Sequence, residues 1–360
     1  MKKTPSILMT CLLGMLLLTT ACGPQQSTSK HRNNLPLGGK PTIGLSNCCE
    51  KGLVATVDQY VTAVEKEVQK QGGKMISLTA NENQTQKDPD MQFNQVKQLI
   101  DKGAKSVIVV FVSDREAADN QMKIIEYAEQ KNVAIIAGRR AIPQKLFTRF
   151  NNLYSITVSP SLLGMQQGRM VVEQWQKNAA WDKNEDQKMS FAMLKGPAEA
   201  VQAKTRVDNA LNAIRQDERM VGSELVLSAH SGWKIEDAEK VVASWIKSGE
   251  IDKIEVIVAN SDELALGAIK ALKAADKPLL PIFGINASAA GLESIQNNEL
   301  MGSILPDSAT MGALTYQTAE NLAIGKNVDA KLPANYQFKD GRVINVQPIM
   351  VTKENVNQVK

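Results

Sequence analysis

Short apolar runs alternate with amphipathic stretches from Pro41 to about residue 306. The runs Thr42–Leu45, Met75–Leu78, Ser106–Val112 and Val133–Ile136 predict strands, and the stretches 53–71, 89–102 and 116–130 carry apolar residues at helical spacing. A second series, Ser190–Leu194, Leu225–Leu227, Glu255–Val258, Ile282–Ile285 and Gly302–Leu305, repeats the alternation with helices between. β-branched runs such as SVIVVFV and IEVIVAN lack an alternating polar face, which suits strands covered on both sides in a parallel sheet. The pattern predicts an α/β chain of two doubly wound, Rossmann-like lobes. Sheets of this kind bind ligands beyond the carboxyl ends of their strands, so two facing lobes would form a cleft.

The N-terminus changes where this chain is expected to work. Lys2 and Lys3 precede an apolar run from Ile7 to Leu18, too short for a stable span, and residues 1–21 read as an export signal. Thr20-Ala21-Cys22 resembles the lipobox of bacterial lipoproteins, which implies cleavage before Cys22 and acylation of its thiol; an ordinary signal with an incidental Cys is the alternative. Residues 22–40 are rich in Gln, Ser, Thr, Asn, Gly and Pro and read as a flexible tether. Loss of Lys2 and Lys3 lowers the formal charge from +4 to +2, which is no polybasic surface, so nucleic acid is not an expected partner. The expected location is outside the cytoplasm, lipid-anchored to a bacterial membrane. Cys11 leaves with the signal and Cys22 is lipidated, so only the adjacent Cys48 and Cys49 remain and no conventional disulfide framework exists.

Catalytic motifs are absent. The chain has no G-x-G-x-x-G, no G-x-x-x-x-G-K-[ST] and no G-x-S-x-G. Of its two histidines, His31 lies in the tether and His230 in the loop SAHSGW, and a zinc site would need added carboxylates. WDKNEDQKMS offers oxygens at alternate positions, Asp182, Asn184 and Asp186, as a calcium loop begins. Gln187 stands where the sharp turn favours Gly and Met193 where a helix-loop-helix site supplies Glu, so the local sequence alone favours a hydrated turn over a metal loop. Asp262 and Asp307 each precede a helical pattern, where N-capping alone would account for them.

The run KIEVIVANSDELALGAIKALKAADKPLLPIFGIN, residues 253–286, together with FAMLKG and WDKNEDQ, resembles the periplasmic galactose/glucose-binding family, substrate-binding proteins (periplasmic binding protein type I) that feed ABC importers. The likeness extends from Pro41 to about Val351. It implies a three-segment hinge near 157–159, 305–307 and 341–343, with lobes 41–158 plus 307–342 and 159–306 plus 343–360. It also implies a ligand held between the lobes, in a protein that is not an enzyme. Trp233 falls on a stacking position, with a core Trp as the alternative, and Arg206 falls on the hydroxyl-binding arginine. Elsewhere the pocket departs from the family: Val54 replaces the second aromatic, Gly52 an Asp, Arg139 (followed by Arg140) an Asn, Ala200 a His, Gln202 an Asp, Ser261 an Asn, Asn286 an Asp and Pro306 an Asn. Asp262 adjoins these positions and is carried as a further candidate. A guanidinium only donates, in a planar fork suited to carboxylate or phosphate. The exchange therefore predicts a sugar acid, sugar phosphate or other polar metabolite, unless Arg139 is simply a solvated cation.

In the same family a calcium loop occupies the place of WDKNEDQKMS and takes a carboxylate from a distant strand. The resemblance implies Asp182, Asn184, Asp186, the Lys188 carbonyl, Ser190 and Glu255 as ligands of a structural calcium, with no organic cofactor. Cys48-Cys49 falls where the family lines the cleft mouth. A strained vicinal disulfide there would offer a flat apolar face; two free thiols, or pairing between molecules, are the alternatives. The expected partners are an ABC permease, the membrane through the lipid anchor, and a small polar ligand bound by a monomer. A sensory protein docking on a chemoreceptor or kinase is the runner-up, ahead of an exported enzyme or a scaffold without ligand.

Overall fold

The computed structural model describes residues 39–49, 51, 55–79, 89–111, 117–139, 142–338 and 342–359. The expected signal and lipidated Cys22, and positions Gly52, Val54 and Arg140, lie outside the described residues. No helix of the described residues is long and apolar enough to cross a membrane.

The first lobe is built from β1 (Thr42–Asn47), α1 (Ala55–Gln71), β2 (Lys74–Thr79), α2 (Pro89–Asp101), β3 (Ser106–Val110), α3 (Ala117–Gln130), β4 (Ala134–Arg139), α4 (Gln144–Arg149) and β5 (Leu153–Thr157). The second comprises α5 (Pro160–Lys177), β6 (Ser190–Lys195), α6 (Val201–Arg215), β7 (Glu224–His230), α7 (Ile235–Lys247), β8 (Val256–Ala259), α8 (Asp262–Ala274), β9 (Ile282–Ile285), α9 (Ala289–Gln296) and β10 (Gly302–Leu305). The chain then returns through α10 (Ser308–Ala323), β11 (Val343–Asn345) and β12 (Ile349–Thr352).

Two six-stranded sheets result, ordered β11-β5-β4-β3-β1-β2 and β12-β10-β9-β8-β6-β7. The two orders are the same doubly wound path run twice, and every pairing is parallel except β10 with β12. All five residues of β3 and all four of β8 and β9 are buried, as continuous apolar runs require when helices cover both faces. The chain passes between sheets at 158–159 and 306–307. The third passage lies at 346–348, later than the expected 341–343, because Val343–Asn345 still pairs with β5 before β12 joins the second sheet. Residues 343–345 therefore belong to the first lobe. β5, β11 and β12 have no counterpart among the predicted strands.

Crossing into the second lobe fixes the start of α5. Ser159 Oγ accepts the Leu162 N–H at 3.1 Å and Pro160 occupies the first helical turn, a pre-set φ at a position needing no N–H. Gly164 and Gly168 then let α6 lie directly on α5. A Cβ at Gly164 would stand 2.0 Å from the Arg206 carbonyl oxygen, and one at Gly168 2.4 Å from that of Ala210. This contact sets where Arg206 leaves its helix.

Candidate ligand cleft

A cleft opens where the carboxyl ends of both sheets meet the crossing segments, with about 530 Å³ of empty space continuous with solvent. From the first lobe it is lined by Thr56 in the first turn of α1, Arg139 at the end of β4 and Thr157 at the end of β5. From the second come Gln202 and Arg206 of α6 and Asn286 just after β9. Val158, Pro160, Leu163, Pro306 and Met311 supply apolar wall, and Ser308 opens α10 beneath it. Asp307 caps that helix as expected, accepting the Thr310 N–H at 2.9 Å. Of the candidate site residues, Arg139, Gln202, Arg206 and Asn286 line this one cavity, together with Thr56, Thr157 and Ser308, which the sequence reading did not single out. Each of these three is an isolated hydroxyl at an element end, with no spacing signal.

Arg139 has φ +67, and its guanidinium hydrogen-bonds Thr56 Oγ1 while Thr157 Oγ1 donates to its carbonyl at 2.8 Å. Left-handed backbone at a bulky residue ending a strand is uncommon, and those two contacts help to hold it here. Asn286 (φ +111) and Ala287 (φ +46) form a similarly unusual bend. Their support is Asp262. Its Oδ1 accepts from Ser303 Oγ at 2.5 Å and its Oδ2 from the Ser288 N–H at 2.6 Å, while Ser303 Oγ accepts the Ala287 N–H at 2.9 Å. Asp262 is fully buried, and desolvation raises its pKa to about 7 against the opposing hydrogen bonds.

Asp262 is therefore not a cleft residue: it holds, from behind, the loop that presents Asn286. Nor is it the cap of α8. That role falls to Ser261, which is buried and accepts the Leu264 N–H at 3.4 Å, so Ser261 too leaves the set of cleft-lining residues. Trp233 follows β7 at the carboxyl edge of the second sheet, outside the residues that line the cavity, and is 42% exposed. A Cβ on Gly196 would meet its ring at 2.3 Å, so the indole lies flat over the backbone after β6. His230 is accounted for by the same corner, with Nδ1 2.7 Å from the Gly196 carbonyl oxygen.

Residues 54–327 match the family model described as a periplasmic binding protein domain, three-quarters of the chain. The chain belongs to the periplasmic binding proteins. Among curated relatives of this binding protein, the D-galactose/methyl-galactoside binding periplasmic protein of Haemophilus influenzae is 30% identical over 83% of this chain and 87% of its own length. The ribose import binding protein of the same organism is 24% identical over 78% of the chain and 88% of its own length. These relatives are binding proteins of transport, not enzymes. Solved structures with the same fold include an ABC transporter solute binding protein from Bacillus halodurans with bound myo-inositol (TM-score 0.65, 22% identity, covering 89% of this chain and 97% of that one). A second, from Actinobacillus succinogenes with bound D-allose, superposes with TM-score 0.68 at 18% identity over 89% of this chain and all of that one.

In this periplasmic binding protein the WDKNEDQKMS loop is well defined. Trp181 packs edge-on against Phe283 of β9 at 6.1 Å. Asp182 Oδ2, Asn184 Oδ1 and Asp186 Oδ1 accept the N–H groups of Gln187, Asp186 and Lys188 at 2.8, 3.1 and 2.8 Å. Glu255, buried just before β8, accepts the Lys183 and Ser190 N–H groups at 2.9 and 3.0 Å. Among the described residues no group of three or more His, Cys, Asp or Glu side chains could hold a metal ion as they stand. The loop's carboxylates are turned onto its own backbone, with one exception: Asp182 Oδ1 is buried and has no hydrogen-bond partner.

Cys48 and Cys49 are buried in the hydrophobic core, with sulfurs 2.9 Å apart. Asn47 holds the bend through its side chain, donating to the Cys49 carbonyl at 2.9 Å and accepting the Cys49 N–H at 3.2 Å. The pair packs as apolar volume in the core, and neither residue is among those lining the cleft.

Proposed function

We propose that this chain is the lipid-anchored, extracytoplasmic solute-binding component of an ABC importer, closing its two lobes on a sugar or sugar-like polar metabolite. The observation that carries this reading is the cleft itself. Planar polar groups from both lobes, Arg139 from one and Gln202, Arg206 and Asn286 from the other, face a space walled by apolar side chains, the composition that suits a ligand with hydroxyls on its rim and an apolar face. Because each lobe supplies part of the site, only the closed arrangement satisfies all ligand groups, and ligand binding shifts the population toward it. The membrane-bound permease would read that closed shape. Anchoring through Cys22 would keep the loaded protein at the membrane.

The reading is tested by thermal denaturation with D-galactose, D-ribose and myo-inositol. A ligand bound only by the folded state at a hundred times its Kd adds about 2.7 kcal/mol of stability. A saturable rise in melting temperature with at least one small polyhydroxylated solute is expected; consumption of that solute would contradict the binding role.

Calcium is proposed as a brace of the second lobe. Asp182, Asn184, Asp186, the Lys188 carbonyl, Ser190 and Glu255 would hold it. A hard cation would supply the orphaned Asp182 oxygen with the partner it lacks and offset the buried Glu255 charge. Treatment with a chelator is expected to lower the melting temperature and calcium to restore it; an unchanged melting temperature leaves the loop a self-satisfied turn.

A further inference from the structure

We propose that the amino edge of the first sheet docks on anionic phospholipid and holds the anchored protein with its ligand cleft turned away from the bilayer. This rests on the lipid-anchored reading above and adds the pose that the anchored chain takes.

In a parallel sheet all amino ends lie at one edge, and here the cleft lies at the other. Along the amino edge the order β4-β3-β1-β2 sets Lys131, Lys105, Lys40 and Lys74 side by side, each exposed and within three residues of the start of its strand. Register keeps them nearly level, since Thr42 pairs with Lys74 and its carbonyl accepts the Lys105 N–H at 2.9 Å. Neighbouring strands are about 4.8 Å apart, so the row spans about 15 Å. Lys102 adds a fifth exposed ammonium, and Lys105 and Lys131 border a hollow of about 640 Å³ open to solvent. Lys40 also donates to the Gln71 carbonyl, which leaves its charge uncancelled. The helix-to-strand connections of this edge, 72–73, 102–105, 131–133 and 150–152, contain no carboxylate. Glu67, Asp101 and Glu129, near the ends of α1, α2 and α3, are engaged with Lys70 at 3.3 Å, Lys97 at 2.5 Å and the Asn151 and Asn152 N–H groups.

Cations beside helix carboxyl ends also offset the helix dipole. That does not account for the row, because the second lobe ends its helices in the same way and carries the opposite charge. Its connections 216–223, 248–255, 275–281 and 297–301 hold seven carboxylates and three cations. An anionic plane therefore attracts the amino edge of the first lobe and repels that of the second. The chain also enters at the attracted edge. Eighteen residues lead from Cys22 to Lys40, at most about 60 Å of chain, and β1 begins two residues later. An acylated Cys22 would raise the effective concentration of headgroups at the lysine row, where each lysine gains about fivefold in partitioning. Many weak contacts, unlike one tight one, let the protein leave the surface for its permease. Until then the cleft faces incoming solute.

The test is amine labelling of the purified full chain, read lysine by lysine by mass spectrometry, on vesicles of phosphatidylcholine alone and of phosphatidylcholine and phosphatidylglycerol in equal parts. The expected result is about fivefold or greater protection of Lys74, Lys102, Lys105 and Lys131 on the mixed vesicles only, with Lys234, Lys247 and Lys253 of the second lobe labelled as in solution. Salt at about 1 M, with a screening length of about 3 Å, should abolish the protection. Lys102→Gln with Lys105→Gln, at exposed positions, should lower the protection of Lys74 and Lys131 without moving the melting temperature. The wild-type comparison of the two vesicle types stands if that variant fails to fold. Co-sedimentation separates the two claims. A chain that stays in solution with phosphatidylcholine vesicles is not anchored, which contradicts the lipid-anchored reading; equal labelling on both vesicle types overturns the inference and leaves the anchor intact. Protection that needs no vesicles and grows with protein concentration assigns the row to the acidic edge of a second copy and likewise overturns the inference.

Discussion

At the scale of single residues, the cleft depends on groups that never enter it. Asp262 is the clearest case, since its two oxygens hold Ser303 and the Ser288 N–H and thereby fix the bend that presents Asn286. A carboxyl whose pKa is raised from 3.8 to about 7 in the folded state keeps its proton there while the unfolded chain has lost it. Between those limits the native state binds more protons, so stability falls as pH rises from about 4 toward 7 and levels off above. Asp262→Asn is expected to flatten that part of the melting-temperature profile and, by loosening the 286–288 loop, to weaken ligand binding. An unchanged pH slope would show that Asp262 is ionised throughout. Trp233→Ala tests a different residue. If the exposed indole covers the ligand on closure, its loss costs about 2 kcal/mol, some thirtyfold in Kd, with little change in stability; unchanged affinity would leave the ring as cover for Gly196 alone.

How much of this was legible differs from residue to residue. Arg139, Arg206, Gln202 and Asn286 were legible through the family resemblance, which implies cleft positions for them; doubly wound topology alone says only that a site lies beyond the carboxyl ends of the strands. In the stretch SDELALG either Ser261 or Asp262 makes an acceptable cap. The choice is made by Ser303, forty-one residues away, whose hydroxyl claims the Asp.

At the scale of elements, the long buried strands and their helices are readable because burial on both faces leaves a continuous apolar run. β11 and β12 are three and four residues long and lie at sheet edges, where half-exposed positions dilute that signal. β11 decides where the third hinge segment falls, which is why its position was off by a few residues. The α5–α6 contact gives a prediction at this scale. Gly164→Ala would put a methyl within 2.0 Å of the Arg206 carbonyl oxygen, so the helices must separate. Overpacking of this kind costs about 1–3 kcal/mol. Because α6 carries Arg206 and Gln202, weaker ligand binding should accompany the lower melting temperature. Destabilisation with intact affinity would mean that the helix pair does not position the site.

At the scale of the whole molecule, two copies of one strand order are joined by three crossing segments, and residues of both lobes line the cleft. Crossings of a few residues each, at 158–159, 306–307 and 346–348, join two lobes that each have their own sheet, the arrangement that hinge closure of domains uses. On the proposed reading, closure is the output, and a membrane partner that recognises the closed shape would receive it. The most direct measurement is small-angle X-ray scattering of the purified protein with and without saturating D-galactose or D-galacturonate. The account predicts a smaller radius of gyration with whichever solute binds, saturating at one ligand per chain; a bound ligand that leaves the radius unchanged would contradict it.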